Sequence, residues 1–590
     1  MGSPRRAVIV LSAAALLAAA AVRDLTRNRT TPLWPALRDS VLRLGRGLPF
    51  ELTDATRAAG LVHLHRKLVP HPSLRNLAPW LGSLGASVAV VDIDADGWPD
   101  VYLTNSAVGS LNPLFRNNGD GTFTDIARRI GLAAVNKDTG SLRALFFDCD
   151  NDGDKDLLLT TFHGARLHIN DQGMFRDATA GSGLDFPFYA PASNVVDYDN
   201  DGLLDVVVGG YFSPSADFLA PKDYRLMHAG FHAADNGGRA RVFHNEGRGK
   251  FSPARGNLGL SCPRWVLAVG VYDLRGTGRP DLHFASDYNL NCLYFNDGRG
   301  GFLDASAELA DTISMSNMSS EFADPFNDGR PSIFVANIHS PRYLPYGNLL
   351  WSPSGQGHYR DIAREAGVRE CGWAWGAKFA DLDNDTLQDL VVVNGYISGD
   401  PSRDYMVEFA EMVRRRPEYI ADTRNWPAIG NASQSGYQRS CVYHNDGARF
   451  GDVAGATGMR DDLLDGRGVA AIDYRNDGSL SLVVANQGQP ARFYRNRQRN
   501  RNRWVGFALR GTRSNRDAFG AEVTVRLRGG KILTRQFQPA NGFMSQSDGR
   551  LHFGLGRRPV VESVEVRWPA GGLQRLGPVD LDRYHSVVEP

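Results

Sequence analysis

The sequence predicts an all-β fold: a seven-bladed β-propeller followed by a small β-sandwich-like domain. Three observations carry that prediction. An Asp-rich phrase recurs between short β-branched runs. A second phrase, a strand, an Asn-Asp-Gly type turn and another strand, follows the Asp phrase. The two series match in number only if a strand near the N-terminus completes the last unit.

The Asp phrase reads Asp-x-Asp-x-Asp-Gly-x-x-Asp. It occurs as DIDADGWPD (Asp92 to Asp100), DCDNDGDKD (Asp148 to Asp156) and DYDNDGLLD (Asp197 to Asp205), with a near copy, DLDNDTLQD, from Asp381 to Asp389. Carboxylates at alternate positions of a tight loop can converge on one hard cation, and glycine permits the sharp turn. An EF-hand shares the first half of the phrase but needs a Glu at the twelfth position and flanking helices. The twelfth positions here are Leu103, Leu159, Val208 and Val392. The flanks, such as ASVAVVD and PDVYLTN, are strand-forming, so the loops join strands.

The second phrase runs through 114–132, 167–184, 242–260, 293–310, 349–368 and 442–459. Together the two phrases give four antiparallel strands, the content of one propeller blade. Three more Asp loops are decayed: Asp273, Arg275 and Asp281; Asp324 and Asp328; and Asp473 and Asp477 keep the register. That makes seven loops. LTDATRAAGL (52–61) has no Asp loop of its own, and the last unit ends at RFYRN without a closing strand, so the N-terminal strand is expected to complete it and remove free sheet edges. The domains follow: 1–22 a signal peptide or anchor, 23–49 a linker, 50–502 the propeller and 503–590 the C-terminal domain.

The chain of 590 residues balances 66 Lys and Arg against 65 Asp and Glu, so nothing global draws it to nucleic acid. Arg5 and Arg6 precede a small apolar run from Ala7 to Val22, the pattern of an export signal. Arg23, Arg27 and Arg29 after it leave an uncleaved anchor open, the one membrane attachment the sequence offers. Either reading puts the protein at the cell surface, in a periplasm or in the medium, where disulfides are allowed. Cys262 and Cys371 precede Asp273 and Asp381 by similar spacings, and Cys292 and Cys441 open equivalent strands. Cys262–Cys292 and Cys371–Cys441 are the expected pairs, with four buried thiols as the alternative. Cys149 is left over inside an Asp loop.

The Asp loops with their trailing NDG-x-G-x-F phrases resemble the FG-GAP/VCBS repeats of integrin α-subunit propellers. GWAWGAKFADLDND (372–385) is similar to a signature segment of the cartilage acidic protein family. SNRDAFGAEVTVRL (514–527), GFMSQSDGRLHFGLG (542–556) and VEVRWPAGGLQRL (564–576) resemble the ASPIC/UnbV domain. The resemblance implies an exported calcium-binding propeller with binding or adhesion roles. It also implies a second possibility, an exported enzyme or accessory factor, since one bacterial relative is associated with enediyne biosynthesis. It places Ca2+ on the first, third, fifth and ninth side chains and the seventh carbonyl of each loop. Those positions are Asp92, Asp94, Asp96, Asp100 and the Trp98 carbonyl; Asp148, Asp150, Asp152 and Asp156; Asp197, Asp199, Asp201 and Asp205; and Asp381, Asp383, Asp385 and Asp389. About four sites are expected. The last loop departs by having Thr386 at the glycine position.

Arg275 and Arg475 stand at the third position of decayed loops, where a guanidinium can replace the ion by bridging Asp273 to Asp281 and Asp473 to Asp477; an outward-pointing Arg is the alternative. Phe326 marks simple loss of a site. No G-x-S-x-G, HExxH, P-loop, CxxCH or dinucleotide motif occurs. His228 and His232, with His244 further on, read as incidental loop residues, and so do His63, His65 and His71. The Arg run from Arg492 to Arg503 reads as an exposed hairpin and linker. Trp373 and Trp375 read as core and rim packing. The insertion from Tyr396 to Gln438, with helical periodicity over 404–422, is the favoured surface for an extracytoplasmic protein or glycan partner.

Overall fold

The computed structural model describes residues 47–590, apart from 187–188, 231–233, 263–264, 310–314, 341–343, 356 and 461. The expected export segment, 1–22, and the linker up to residue 46 lie outside the described residues.

Among the described residues, seven antiparallel sheets share one plan. The first strand of each runs into an Asp loop, the second leaves it, and in all but the last a hairpin joins the third to the fourth. Ser141–Phe147, Asp156–Thr161, Ala165–Asp171 and Met174–Asp177 form one such sheet. First strands are buried along their length, as Ser141–Phe147, Val266–Tyr272, Ala374–Ala380 and Gly466–Ile472 are, with Arg143, Lys378 and Arg467 buried among their apolar residues. In the fourth strand Met174–Asp177 only Phe175 is buried. Burial on both faces inside and one face outside explains why the first strands are largely apolar while the fourth strands alternate.

The first strands touch in a closed cycle: Val88–Val91, Ser141–Phe147, Ala192–Val196, Val266–Tyr272, Glu321–Ala323, Ala374–Ala380, Gly466–Ile472 and back to Val88–Val91. Glycine permits the tightest approach. A Cβ on Gly376 would lie 2.1 Å from the Arg467 carbonyl oxygen of the next sheet. The N-terminal strand Phe50–Asp54 is the outermost strand of the last sheet, antiparallel to Arg492–Gln498, as expected. Those arginines therefore belong to a ladder strand, and the exposed-hairpin reading fails for the first half of the run.

An asparagine that closes the third strand staples neighbouring sheets. The Asn117 side-chain amide donates to the Pro99 carbonyl of its own Asp loop and to the Tyr474 carbonyl of the preceding one. Asn245 does the same to Leu204 and Cys149, Asn445 to Gln388 and Pro325, and Asn496 to Leu480 and Leu382. Each amide is buried, so it satisfies carbonyls that water cannot reach.

Residues 503–590 form a three-stranded sheet (Leu551–Gly556, Arg503–Arg510, Tyr584–Val588) and a four-stranded one (Ile532–Gln536, Glu522–Leu527, Val561–Arg567, Leu573–Leu576). Val505, Phe507, Val523, Val525, Phe553 and Val564 pack between them in one apolar cluster. The segment 536–548 meets the edges of the first strands. Ser545–Gln546 adds a short parallel strand to Val88–Ala89. Side-chain amides act as strand surrogates elsewhere: Gln546 exchanges both hydrogen bonds with Phe146, and Asn541 both with Val271, at 2.8–2.9 Å.

Two disulfides are present, Cys262–Cys292 and Cys371–Cys441, the expected pairing, and Cys149 is a buried free thiol. Strands of each sheet are antiparallel, so the Asp loops and hairpins share one face while the second-to-third connections open on the other. The insertions 211–241 and 396–438 are both of the latter kind. No helix among the described residues is long and apolar enough to cross a membrane.

Candidate metal centres

The four positions of the Asp loop do different work. The first carboxylate shapes the turn in all seven loops by accepting the fifth and sixth backbone N–H groups. Asp92, Asp148, Asp197 and Asp381 do so in the four acidic loops. Asp273, Asp324 and Asp473 do so in the decayed ones. The ninth carboxylate ties the loop to the third strand: Asp100 accepts the N–H groups of Ile93 and Asn117, and Asp389 those of Leu382 and Asn445. The fifth turns onto the seventh N–H, as Asp96 does with Trp98 and Asp385 with Leu387.

The third position has no backbone duty. Asp150 Oδ1, Asp199 Oδ1 and Asp383 Oδ1 are buried without a hydrogen-bond partner. Each lies with two other carboxylates whose oxygens fall within 4.8 Å of one another: Asp148, Asp150 and Asp156; Asp197, Asp199 and Asp205; Asp381, Asp383 and Asp385. An acceptor-only group left unpaired among like charges fits a cation ligand and little else. Burial, and behind it the neighbouring carboxylates, pushes Asp197 and Asp383 up to about 7 and Asp205 to about 9. Burial likewise raises Asp100 and Asp156 to about 7.

Asp92, Asp94 and Asp96 also cluster, but Arg116 reaches in from the third strand. Its Nε lies 2.6 Å from Asp94 Oδ2 and its Nη2 2.6 Å from Asp96 Oδ2. A guanidinium thus takes the cation's role in an intact loop. In the decayed loops the expected bridges do not form. Arg275 pairs with Asp281 at 2.8 Å and stacks on Phe295, while Asp273 is met by Arg567 from the C-terminal domain. Arg475 lies over the Tyr474 ring, and Tyr584 donates its hydroxyl to Asp473. Phe326 packs on Phe450.

The position occupied by Arg116 is His244 in the third sheet and His444 in the sixth. His244 Nδ1 lies 3.1 Å from Asp205 and His444 Nδ1 2.8 Å from Asp389. Burial alone would lower the His444 ring, but Asp389, Asp383 and Asp385 raise it to about 9. Sequence reasoning missed both histidines as neighbours of the carboxylates; the shared -His-Asn- pair at the end of the third strand was the available signal. His228 is buried rather than loop-exposed, stacked 3.7 Å from Tyr288, and His232 lies outside the described residues.

Thr386 adopts φ +93, in the range of its glycine counterparts Gly97 (+85), Gly153 (+107) and Gly202 (+88). The C-terminal domain holds it there: Lys531 Nζ donates to its hydroxyl at 2.7 Å and Arg535 reaches its carbonyl.

Comparison with known families agrees with this architecture. Residues 92–159 and 148–208 match the FG-GAP-like repeat model, and residues 511–590 match the ASPIC and UnbV model. The chain therefore carries FG-GAP-like repeats in a fold of β-propeller type and a C-terminal ASPIC and UnbV segment. Along most of its length it is similar to Cartilage acidic protein 1 of Mus musculus, 23% identical over 538 residues, covering 86% of this chain and 73% of the relative. The human Cartilage acidic protein 1 is 26% identical over 331 residues, 54% of this chain and 43% of the relative. Among solved structures, an Agrocybe aegerita lectin recognising non-reducing terminal N-acetylglucosamine aligns with 69% of this chain and 93% of its own at 13% identity; its TM-score of 0.37 carries no argument.

Proposed function

We propose that this chain is an exported, calcium-stabilised, seven-bladed propeller that serves as a binding or adhesion module outside the cytoplasm. The observation that carries the calcium reading is the set of buried, unpartnered third-position oxygens of Asp150, Asp199 and Asp383, each beside two further carboxylates. An all-oxygen donor set in a loop with a free seventh carbonyl, Trp98 in the first, suits Ca2+ over softer ions. The ion would take the first, third, fifth and ninth side chains, and its charge would offset the repulsion that raises their proton affinity. Two disulfides fit an oxidising compartment, which supports export. The insertions on the face opposite the loops supply a surface for a protein or glycan partner.

Calcium uptake by the chelator-treated chain tests the reading. About four equivalents are expected, with the first loop the weakest because Arg116 competes. Asp150→Asn, Asp199→Asn and Asp383→Asn should each remove one equivalent. Uptake of less than one equivalent by the unaltered chain would overturn it.

A further inference from the structure

The face opposite the Asp loops holds a cavity of about 60 Å3 beneath the 396–438 insertion. Its walls are largely aromatic and come from separate parts of the chain, Trp80 of the segment before the first sheet among them. Trp373 precedes the first strand of the sixth sheet, Tyr396, Phe409 and Trp426 belong to that sheet's insertion, Tyr211 opens the insertion of the third sheet, and Tyr288 follows the second strand of the fourth. Trp373 stacks on Tyr396 at 4.5 Å, and Phe409 lies 4.4 Å from Trp426. Trp373 and Trp375 are packed in the core, as expected, and both also line this space.

One ionisable acid lies in the wall. Asp287, only 6% exposed, follows the second strand of the fourth sheet and accepts from the Tyr211 hydroxyl at 2.6 Å. The groups that stabilise its charge are three hydroxyls, of Tyr211, Tyr288 and Ser316; no cationic side chain does so among the described residues. Glu321, a buried acid outside the loops, by contrast finds Lys378 at 2.8 Å. A buried carboxylate without a counter-charge is costly, and a cation at the site would offset that cost. Burial pushes Asp287 up to about 7, so its charge is poised to be drawn out by such a partner. His228, stacked on Tyr288, does not supply the charge: burial lowers it to about 3 and keeps it neutral.

We propose that this cavity binds a small organic cation of the trimethylammonium type, held between the aromatic faces with Asp287 as its counter-charge. Aromatic faces carry negative potential and attract cations that cannot be satisfied by hydrogen bonds. Asp287 accepts from the Tyr211 hydroxyl at 2.6 Å, and the hydroxyls of Tyr288 and Ser316 also favour its charged form, so its acceptor capacity is partly used and a head group that needs no N–H donor is favoured. At roughly 15 Å3 of such volume per water-sized group, the space suits a head of about four such groups. Gln434, whose Oε1 is buried and unpartnered, lines the same cavity. The site is independent of the calcium reading, since it lies on the other face and shares no residue with the loops.

Calorimetric titration of the full chain, in calcium-containing buffer, with choline and with its uncharged isostere 3,3-dimethylbutan-1-ol tests the proposal. Choline should bind at least tenfold more tightly than the isostere, and Asp287→Asn should remove that preference while leaving the melt within a few degrees. Vesicles of phosphatidylcholine against phosphatidylglycerol distinguish a lipid-borne head group from a free one; binding to either free choline or phosphatidylcholine vesicles supports the site. Equal binding of choline and the isostere, or no binding of free choline or phosphatidylcholine vesicles, would overturn it. The comparison of choline with the isostere needs no variant, so a misfolded Asp287→Asn chain would not rescue the idea.

Discussion

The Asp loop separates at the residue level into positions that build the turn and positions that meet an ion. First-position carboxylates persist in the decayed loops because Asp273, Asp324 and Asp473 still bind two backbone N–H groups each. Loss begins at the third position, now Arg275, Phe326 and Arg475, which has no such duty. Thr386 sits in a backbone region that glycine alone enters without cost, so Thr386→Gly should stabilise the chelator-treated chain by about 1 kcal/mol in urea unfolding, the relieved strain exceeding the lost Lys531 contact. Arg116→Ala should tighten calcium at the first loop about tenfold, read by titration, because two charge-assisted bonds no longer compete. These distinctions were only partly legible in the sequence. The glycine position of Thr386 could be read directly, since its six counterparts are all Gly. Arg116 and the two histidines were marked only by their place before the third-strand asparagine, because their approach to the loops depends on strand register that the loop sequence does not encode.

Each sheet is legible as an element because its alternation and turn residues are local, whereas its fastenings are not. The asparagine after the third strand looks like part of a hairpin turn, yet its amide spans two sheets. Asn445→Ala should cost about 2–3 kcal/mol by leaving the carbonyls of Gln388 and Pro325 buried and unpaired. Gln546→Ala should cost a similar amount through Phe146, measured by the same denaturant titration. The loops also set a pH dependence. Asp100, Asp156, Asp197 and Asp383 are raised to about 7 and Asp205 to about 9, against unfolded values near 4, so the metal-free folded chain binds more protons than the unfolded one in between. Stability of the metal-free chain should therefore fall as pH rises from about 5 to 8. Calcium, which binds the ionised carboxylates, should reverse that slope; melting curves across this range check both arms.

In the whole molecule, closure is achieved three times over. The N-terminal strand completes the last sheet, the Asn117 amide reaches Tyr474 across the same seam, and the segment 536–548 pairs with first-strand edges around the ring. The first of these was legible by counting loops against closing strands. The last was not, since glutamine and asparagine in a C-terminal domain carry no mark of the distant backbone they will bind. The C-terminal domain approaches the Asp-loop face, with Lys155 paired to Asp517 and Lys531 bonded to Thr386, so metal in the loops and seating of that domain should reinforce each other. The most direct test of the central claim is the thermal melt of the full chain at pH 8 with excess chelator and again with calcium at a hundredfold excess over its dissociation constant. Binding to the folded state alone predicts a chain more stable with calcium by about 2.7 kcal/mol for each occupied site, and hence a higher midpoint. Superimposable melts in chelator and calcium would contradict the account.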